Sequence, residues 1–172
     1  MTYFTLEIHK AYKPPQITKM HGVLGEKALG EKGRRNTSKY TIFQITYNTQ
    51  TVFTDIIFRP CFMVSKMVME TIKMYDPRLR FERVVLFDSE NKNRAYYIPI
   101  LEKLDVLTPN SRVGRDKRTL EFIEVDGKKT KGRAIFQVES KGRVYFLVSL
   151  DLIESLLRRN VVGIDLKTVG II

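Results

Sequence analysis

Apolar and polar positions alternate with a period of two through several short stretches of this chain and change to helical spacing in two others. Tyr3-Phe4-Thr5-Leu6-Glu7-Ile8 has the alternation of a half-buried strand, which Lys13-Pro14-Pro15 stops by imposing extended, non-pairing backbone. Thr41 to Tyr47 and Val52 to Phe58 are strand-like runs joined by Asn48-Thr49-Gln50, a connection that predicts a hairpin. Phe81 to Phe87 and Ala95-Tyr96-Tyr97-Ile98 predict a second hairpin across the polar turn 88–93. Thr119 to Val125, Ala134 to Glu139 and Val144 to Val148 follow at short intervals. The turns Asp126-Gly127 and Ser140-Lys141-Gly142 make them an antiparallel meander, and Ile164 to Val169 reads as a closing strand.

The helical spacing follows a phrase that occurs twice, Phe62-Met63-Val64-Ser65 and Phe146-Leu147-Val148-Ser149. Each serine is placed to cap a helix by accepting a hydrogen bond from an orphan first-turn amide. The first helix keeps Val68, Ile72 and Tyr75 on one face and closes at Asp76-Pro77; the second keeps Leu152, Ile153, Leu156 and Leu157 and breaks at 160–163. Asp151 suits the positive end of the second helix dipole, and Arg158 and Arg159 its negative end. A shift of 84 residues superimposes Phe62 on Phe146, Ser65 on Ser149 and Ile72 on Leu156. Two accounts stand: a pseudo-symmetric pair of helices on a shared sheet, or a common local solution used twice.

At 172 residues and 43% hydrophobic content, the chain has the size of one compact domain with its own core. The expectation is a single α+β domain over residues 1–172, an antiparallel twisted sheet with two main helices and an internal pseudo-repeat as one reading of its symmetry. The net charge of +11 favours acidic partners, nucleic acid or anionic membrane surfaces. It is concentrated in two places. Residues 10–39 carry eight basic groups against two acidic ones, and residues 112–143 carry ten against five. The first segment, rich in glycine and lysine, is expected to be a long exposed connection.

Candidate chemistry is sparse. The histidines are His9, at a strand end, and His21, in the basic segment, and neither has a partner at metal-ligand spacing. Cys61 is the single cysteine, which excludes an internal disulfide and a cysteine-rich zinc site and fits a reducing, cytoplasmic setting. The pairs Gly22/Gly25 and Gly30/Gly33 lack the flanking elements of a phosphate loop. No apolar run approaches the roughly 18 residues of a membrane span. No cofactor, metal or catalytic set is expected. Tyr96-Tyr97 beside Arg94, and Arg143 beside Tyr145, combine cations with rings as nucleic-acid binders do, although neighbouring strand positions face opposite ways and one tyrosine of the pair belongs to the core.

Three stretches together resemble the family numbered eleven among the immunity proteins of bacterial polymorphic toxin systems. They are the 62–65 phrase with its helix, Tyr96-Tyr97-Ile98-Pro99-Ile100-Leu101-Glu102-Lys103-Leu104-Asp105-Val106-Leu107 through Ser111, and Phe146 to Gly163 with Ile164-Asp165-Leu166. The resemblance covers about the last two-thirds of the chain and has no counterpart for the basic segment 10–39. It implies a stoichiometric inhibitor that neutralises a cognate toxin by surface complementarity, with no catalytic residues. A basic inhibitor suits a toxin with an acidic face. The contacts expected from the charge pattern are Arg34, Arg35, Arg115, Arg118 and Arg133, because guanidinium forks bind carboxylates bidentately. Nucleic-acid binding through the same basic segments is the alternative.

Overall fold

The computed structural model describes residues 1–21, 41–90 and 93–172. The fold is α+β with two helices. Its elements are β1 (Tyr3–Ile8), β2 (Gln16–His21), β3 (Thr41–Thr46), β4 (Ile56–Ile57), β5 (Met63–Val64), α1 (Lys66–Tyr75), β6 (Phe81–Phe87) and β7 (Asn93–Pro99). They continue with β8 (Arg112–Val113), β9 (Leu120–Phe122), β10 (Glu124–Val125), β11 (Ile135–Ser140), β12 (Arg143–Ser149), α2 (Leu150–Leu157), β13 (Ile164–Thr168) and β14 (Gly170–Ile171). The contacts divide the chain into two compact units, one made of residues 1–8, 71–79 and 101–172, the other of 9–70 and 80–100. Among the described residues no helix is long and apolar enough to cross a membrane.

The first unit is built on a four-stranded sheet in the order β11-β12-β1-β13. β1 pairs antiparallel with β12 and β13, so the first strand of the chain lies between two of its last. Tyr3, Phe136, Val138 and Leu147 are buried here with Val106, Ile123, Val125 and Val169. The expected β11–β12 hairpin is present in full register, but the three-stranded meander is not. The run 119–125 is broken at Ile123: β9 pairs with β8, and β10 pairs in parallel with β14. The outer edge of β11 is bridged at Gln137 by the segment 102–104, whose backbone exchanges two hydrogen bonds with that residue. In α2, Leu152, Ile153 and Leu156 are buried, and the Ser149 side chain accepts from the Leu152 amide. Leu157 is 49% exposed, so it does not belong to the apolar face assigned to it from spacing.

The second unit is built on a six-stranded sheet in the order β2-β3-β6-β7-β5-β4. The β6–β7 hairpin is as expected. The hairpin expected between 41–47 and 52–58 does not form, because both edges of β3 are occupied, by β2 antiparallel and by β6 parallel. The turn at Asn48 exists, but the chain beyond it bonds to Lys13 through the Val52 amide, and the later strand shrinks to β4, paired with β5. The basic segment is likewise not all loop. Residues 16–21 form β2, whose ladder partner supplies the order that its own sequence pattern does not announce. Residues 22–40, including the glycine pairs, lie outside the described residues.

Ser65 caps α1, with the Val68 amide 3.4 Å from its hydroxyl. Val68 and Ile72 are buried as expected, while Tyr75 is exposed, its hydroxyl bonding the Asp151 carbonyl and the Ser155 hydroxyl. The two serine phrases lead from strands of different sheets, β5 and β12. What recurs is the strand–cap–helix junction itself.

Candidate partner-binding surface

The basic residues of the first unit are distributed by tight turns. Between β8 and β9 the chain reverses through 114–119, closed by the Gly114 amide on the Thr119 carbonyl at 2.7 Å. Asp116 holds this turn from within: its Oδ1 accepts from the Arg118 and Thr119 amides at 2.9 and 2.8 Å, and its Oδ2 accepts from the Thr119 hydroxyl at 2.5 Å. Those bonds favour the ionised form, so the carboxyl pKa is lowered to about 2, chiefly by the Thr119 hydroxyl, then by the two amides, with a smaller contribution from the positive charge of Arg143. With its carboxylate turned onto the backbone, the turn projects Arg115, Lys117 and Arg118 into solvent.

Arg143 belongs to a second turn. Lys141 and Gly142 both have positive φ, +52° and +74°, the backbone of a two-residue turn whose twist matches the strands it joins. The two turns are tied together by Tyr145 on β12, whose hydroxyl accepts from the Leu120 amide at 2.8 Å. Arg112 stands with its guanidinium 5.3 Å from the Phe122 ring centroid, at the base of the same turn. Six cations (Arg112, Arg115, Lys117, Arg118, Lys141 and Arg143) therefore come from two short segments separated by more than twenty residues, and within those segments only Asp116 opposes them.

The residues nominated from the charge pattern fall into three groups. Arg115 and Arg118 share the 114–119 turn, are exposed, and among the described residues neither is held in an ion pair. Arg133 lies at the other end of β11, and its guanidinium is held internally, 3.4 Å from Asp76 and 2.6 Å from Glu102. Arg34 and Arg35 lie outside the described residues. Arg143 was missed as a contact because only the proximity of the two turns brings it beside Arg115 and Arg118; the signal was its place next to a Lys-Gly turn.

The remaining candidates have structural positions. The Cys61 thiol is pushed up to about 12 by burial and by the neighbouring Glu82 charge, which disfavours the nucleophilic thiolate. His9 is half-buried, its Nδ1 accepting from the Ala11 amide and its ring 5.0 Å from that of Tyr12. Tyr96 is the core member of the Tyr96-Tyr97 pair, and its hydroxyl donates to the Thr54 carbonyl at 2.7 Å. No group of three or more His, Cys, Asp or Glu side chains that could hold a metal is present among the described residues. No protein-family model matches the chain, and no curated protein matches it.

Proposed function

We propose that this chain is a non-enzymatic binding protein that docks an acidic face of a protein partner, working in the cytoplasm as an immunity-type inhibitor of a toxin. The observation that carries the reading is the convergence of Arg115, Arg118 and Arg143 on one pair of turns, with Lys117 and Lys141 beside them and the Asp116 carboxylate engaged inside the turn. Such a cluster raises the encounter rate with an acidic surface and offers several guanidinium forks to its carboxylates. The toxin part of the proposal rests on the sequence resemblance, which contributes the biological setting and no contact residue.

The test is capture of partners on the tagged chain from its native host, after nuclease treatment and at moderate salt. The expected result is one acidic protein retained in stoichiometric amount, toxic when expressed alone and harmless when co-expressed with this chain. Combined Arg115→Ala, Arg118→Ala and Arg143→Ala replacement should slow association about tenfold or more at low salt. Retention of nucleic acid in untreated lysate, with nothing held after nuclease and a steep loss of affinity with salt, would favour the nucleic-acid reading instead.

A further inference from the structure

In the first unit two short turns enclose a cavity of about 360 Å3, lined by residues 75–78 at the end of α1 and 131–134 ahead of β11. Each turn is held by its own backbone. The Leu79 amide donates to the Asp76 carbonyl at 3.1 Å, and the Arg133 amide to the Thr130 carbonyl at 3.1 Å, with Lys131 and Gly132 at φ of +52° and +67°. The lining carries three cations, Arg78, Lys131 and Arg133, and one carboxylate, Asp76. Asp76 is already engaged. Its Oδ1 accepts from the Arg78 amide at 3.3 Å and its Oδ2 from the Arg133 guanidinium at 3.4 Å, while the other arm of that guanidinium meets Glu102 at 2.6 Å. Arg78 and Lys131 are exposed, and among the described residues neither side chain is held in an ion pair or a hydrogen bond.

These groups define a ligand with two ends. Arg78 and Lys131 come from segments more than fifty residues apart and supply unpaired positive charge to one recess. A phosphate monoester, with a charge of about −1.5 to −2 near neutrality, suits two such cations better than a single carboxylate does. Tyr75 gives the other end its character. Its hydroxyl donates to the Asp151 carbonyl at 2.9 Å and shares a hydrogen bond with the Ser155 hydroxyl, which fixes a side chain that is 38% exposed. Among the described residues this ring makes no contact with another ring, so its open side can take a planar group by stacking. The cavity volume lies at the lower end of the ligand-pocket range, enough for a phosphate with the sugar and ring it carries. We propose that this cavity binds a mononucleotide, its phosphate between Arg78 and Lys131 and its base against the Tyr75 ring. The site is separate from the 114–119 and 141–142 turns and independent of the function proposed for them.

The experiment is calorimetric titration of the full chain with adenosine and uridine 5′-monophosphates, then with ribose 5-phosphate, which lacks the base, and adenosine, which lacks the phosphate. At least one mononucleotide should bind saturably with a Kd of about 1 mM or tighter, and each truncated analogue at least about fivefold more weakly. The double variant Arg78→Gln, Lys131→Gln changes two exposed, unpaired side chains, so it should keep its unfolding midpoint and lose about tenfold or more in mononucleotide affinity. Lys10→Gln with Arg83→Gln removes the same charge away from the cavity and should leave that affinity in place. Tyr75→Leu should weaken the mononucleotide about fivefold and leave ribose 5-phosphate unaltered. Absence of saturable binding by both mononucleotides, a cavity variant that loses no more than the Lys10/Arg83 control, an unchanged affinity in Tyr75→Leu, or binding of either truncated analogue as tight as that of the mononucleotide would each overturn the assignment. Tighter binding of a 5′-phosphorylated dinucleotide would overturn it too, by giving the site to a strand end.

Discussion

The tripeptide Lys-Gly-Arg occurs at both ends of β11, as Lys131-Gly132-Arg133 and as Lys141-Gly142-Arg143, with nearly the same backbone and opposite outcomes. Lys131 and Gly132 have φ of +52° and +67°, and Lys141 and Gly142 of +52° and +74°. At the first turn the arginine is drawn into ion pairs with Asp76 and Glu102, and its carbonyl accepts from the Tyr3 hydroxyl at 2.9 Å. At the second turn the arginine stands exposed beside Asp116, whose oxygens are engaged by the 114–119 turn. The six residues of β11 separate the two by roughly 20 Å at about 3.3 Å per residue. The difference teaches that local sequence decides the shape of a turn, while the task of its side chain is decided by whatever distant segment lies opposite.

The sharpest way to break the comparison is at Tyr3, which ties only the first turn. Its ring is fully buried edge-on to Phe136 at 5.3 Å, and its hydroxyl also lies 3.2 Å from the Thr130 hydroxyl. Tyr3→Ala should cost about 3–5 kcal/mol of stability, read as a fall in the denaturant midpoint. A loss under about 1 kcal/mol would mean that the first turn is not anchored as described.

Gly132→Ala and Gly142→Ala test the shared half of the comparison. An added Cβ meets nothing within 4 Å at either position, so only the left-handed backbone opposes it. Each change should cost about 1–2 kcal/mol, and the two costs should agree. Thermal denaturation of the pair of variants would expose a disagreement.

Arg133→Ala and Arg143→Ala test the half that differs. Arg133 and Glu102 are more than a third exposed and only Asp76 is better covered, so loss of the Arg133 pairs should cost only about 0.5–1 kcal/mol. Arg143→Ala should leave stability within about 0.5 kcal/mol and act on partner association instead. Stopped-flow association at low and high salt would separate the two arginines, and equal effects on both properties would erase the distinction.

The smallest effect expected is a pH dependence at Asp116. Its pKa in the folded chain, about 2, lies below its ordinary value of 3.8, so the folded state favours the ionised form. The stabilisation it brings is fully present above about pH 4 and is lost as the pH falls toward 2. Wild type and Asp116→Asn should therefore differ most near neutrality and converge in acid, as measured by denaturant midpoints across that range. A gap that is constant with pH would refute the role of the ionised carboxylate in holding the turn.

Much of this architecture was legible because it is local. Ser65 and Ser149 announce their helices through hydroxyls that reach amides three residues on, and the β6–β7 and β11–β12 hairpins declare themselves by alternation on either side of a polar turn. Pairings between distant segments were not legible. β2 carries no clear alternation and is a strand because β3 lies beside it, and β3 takes β6 in parallel across an intervening stretch of the chain. For the candidate surface, Arg115 and Arg118 could be named from charge alone, but their union with Arg143 and the engagement of Arg133 could not.

The sequence by itself determined the class of fold, the two capped helices, the tight turns and the excess of positive charge, since each follows from the preferences of residues a few positions apart. Only the tertiary structure decided which strand edges are filled and which arginines are neutralised. Those outcomes depend on which remote segments meet, and hydrophobic burial, being non-directional, specifies that residues such as Ile45 and Leu86 go inside without naming the neighbours they find there.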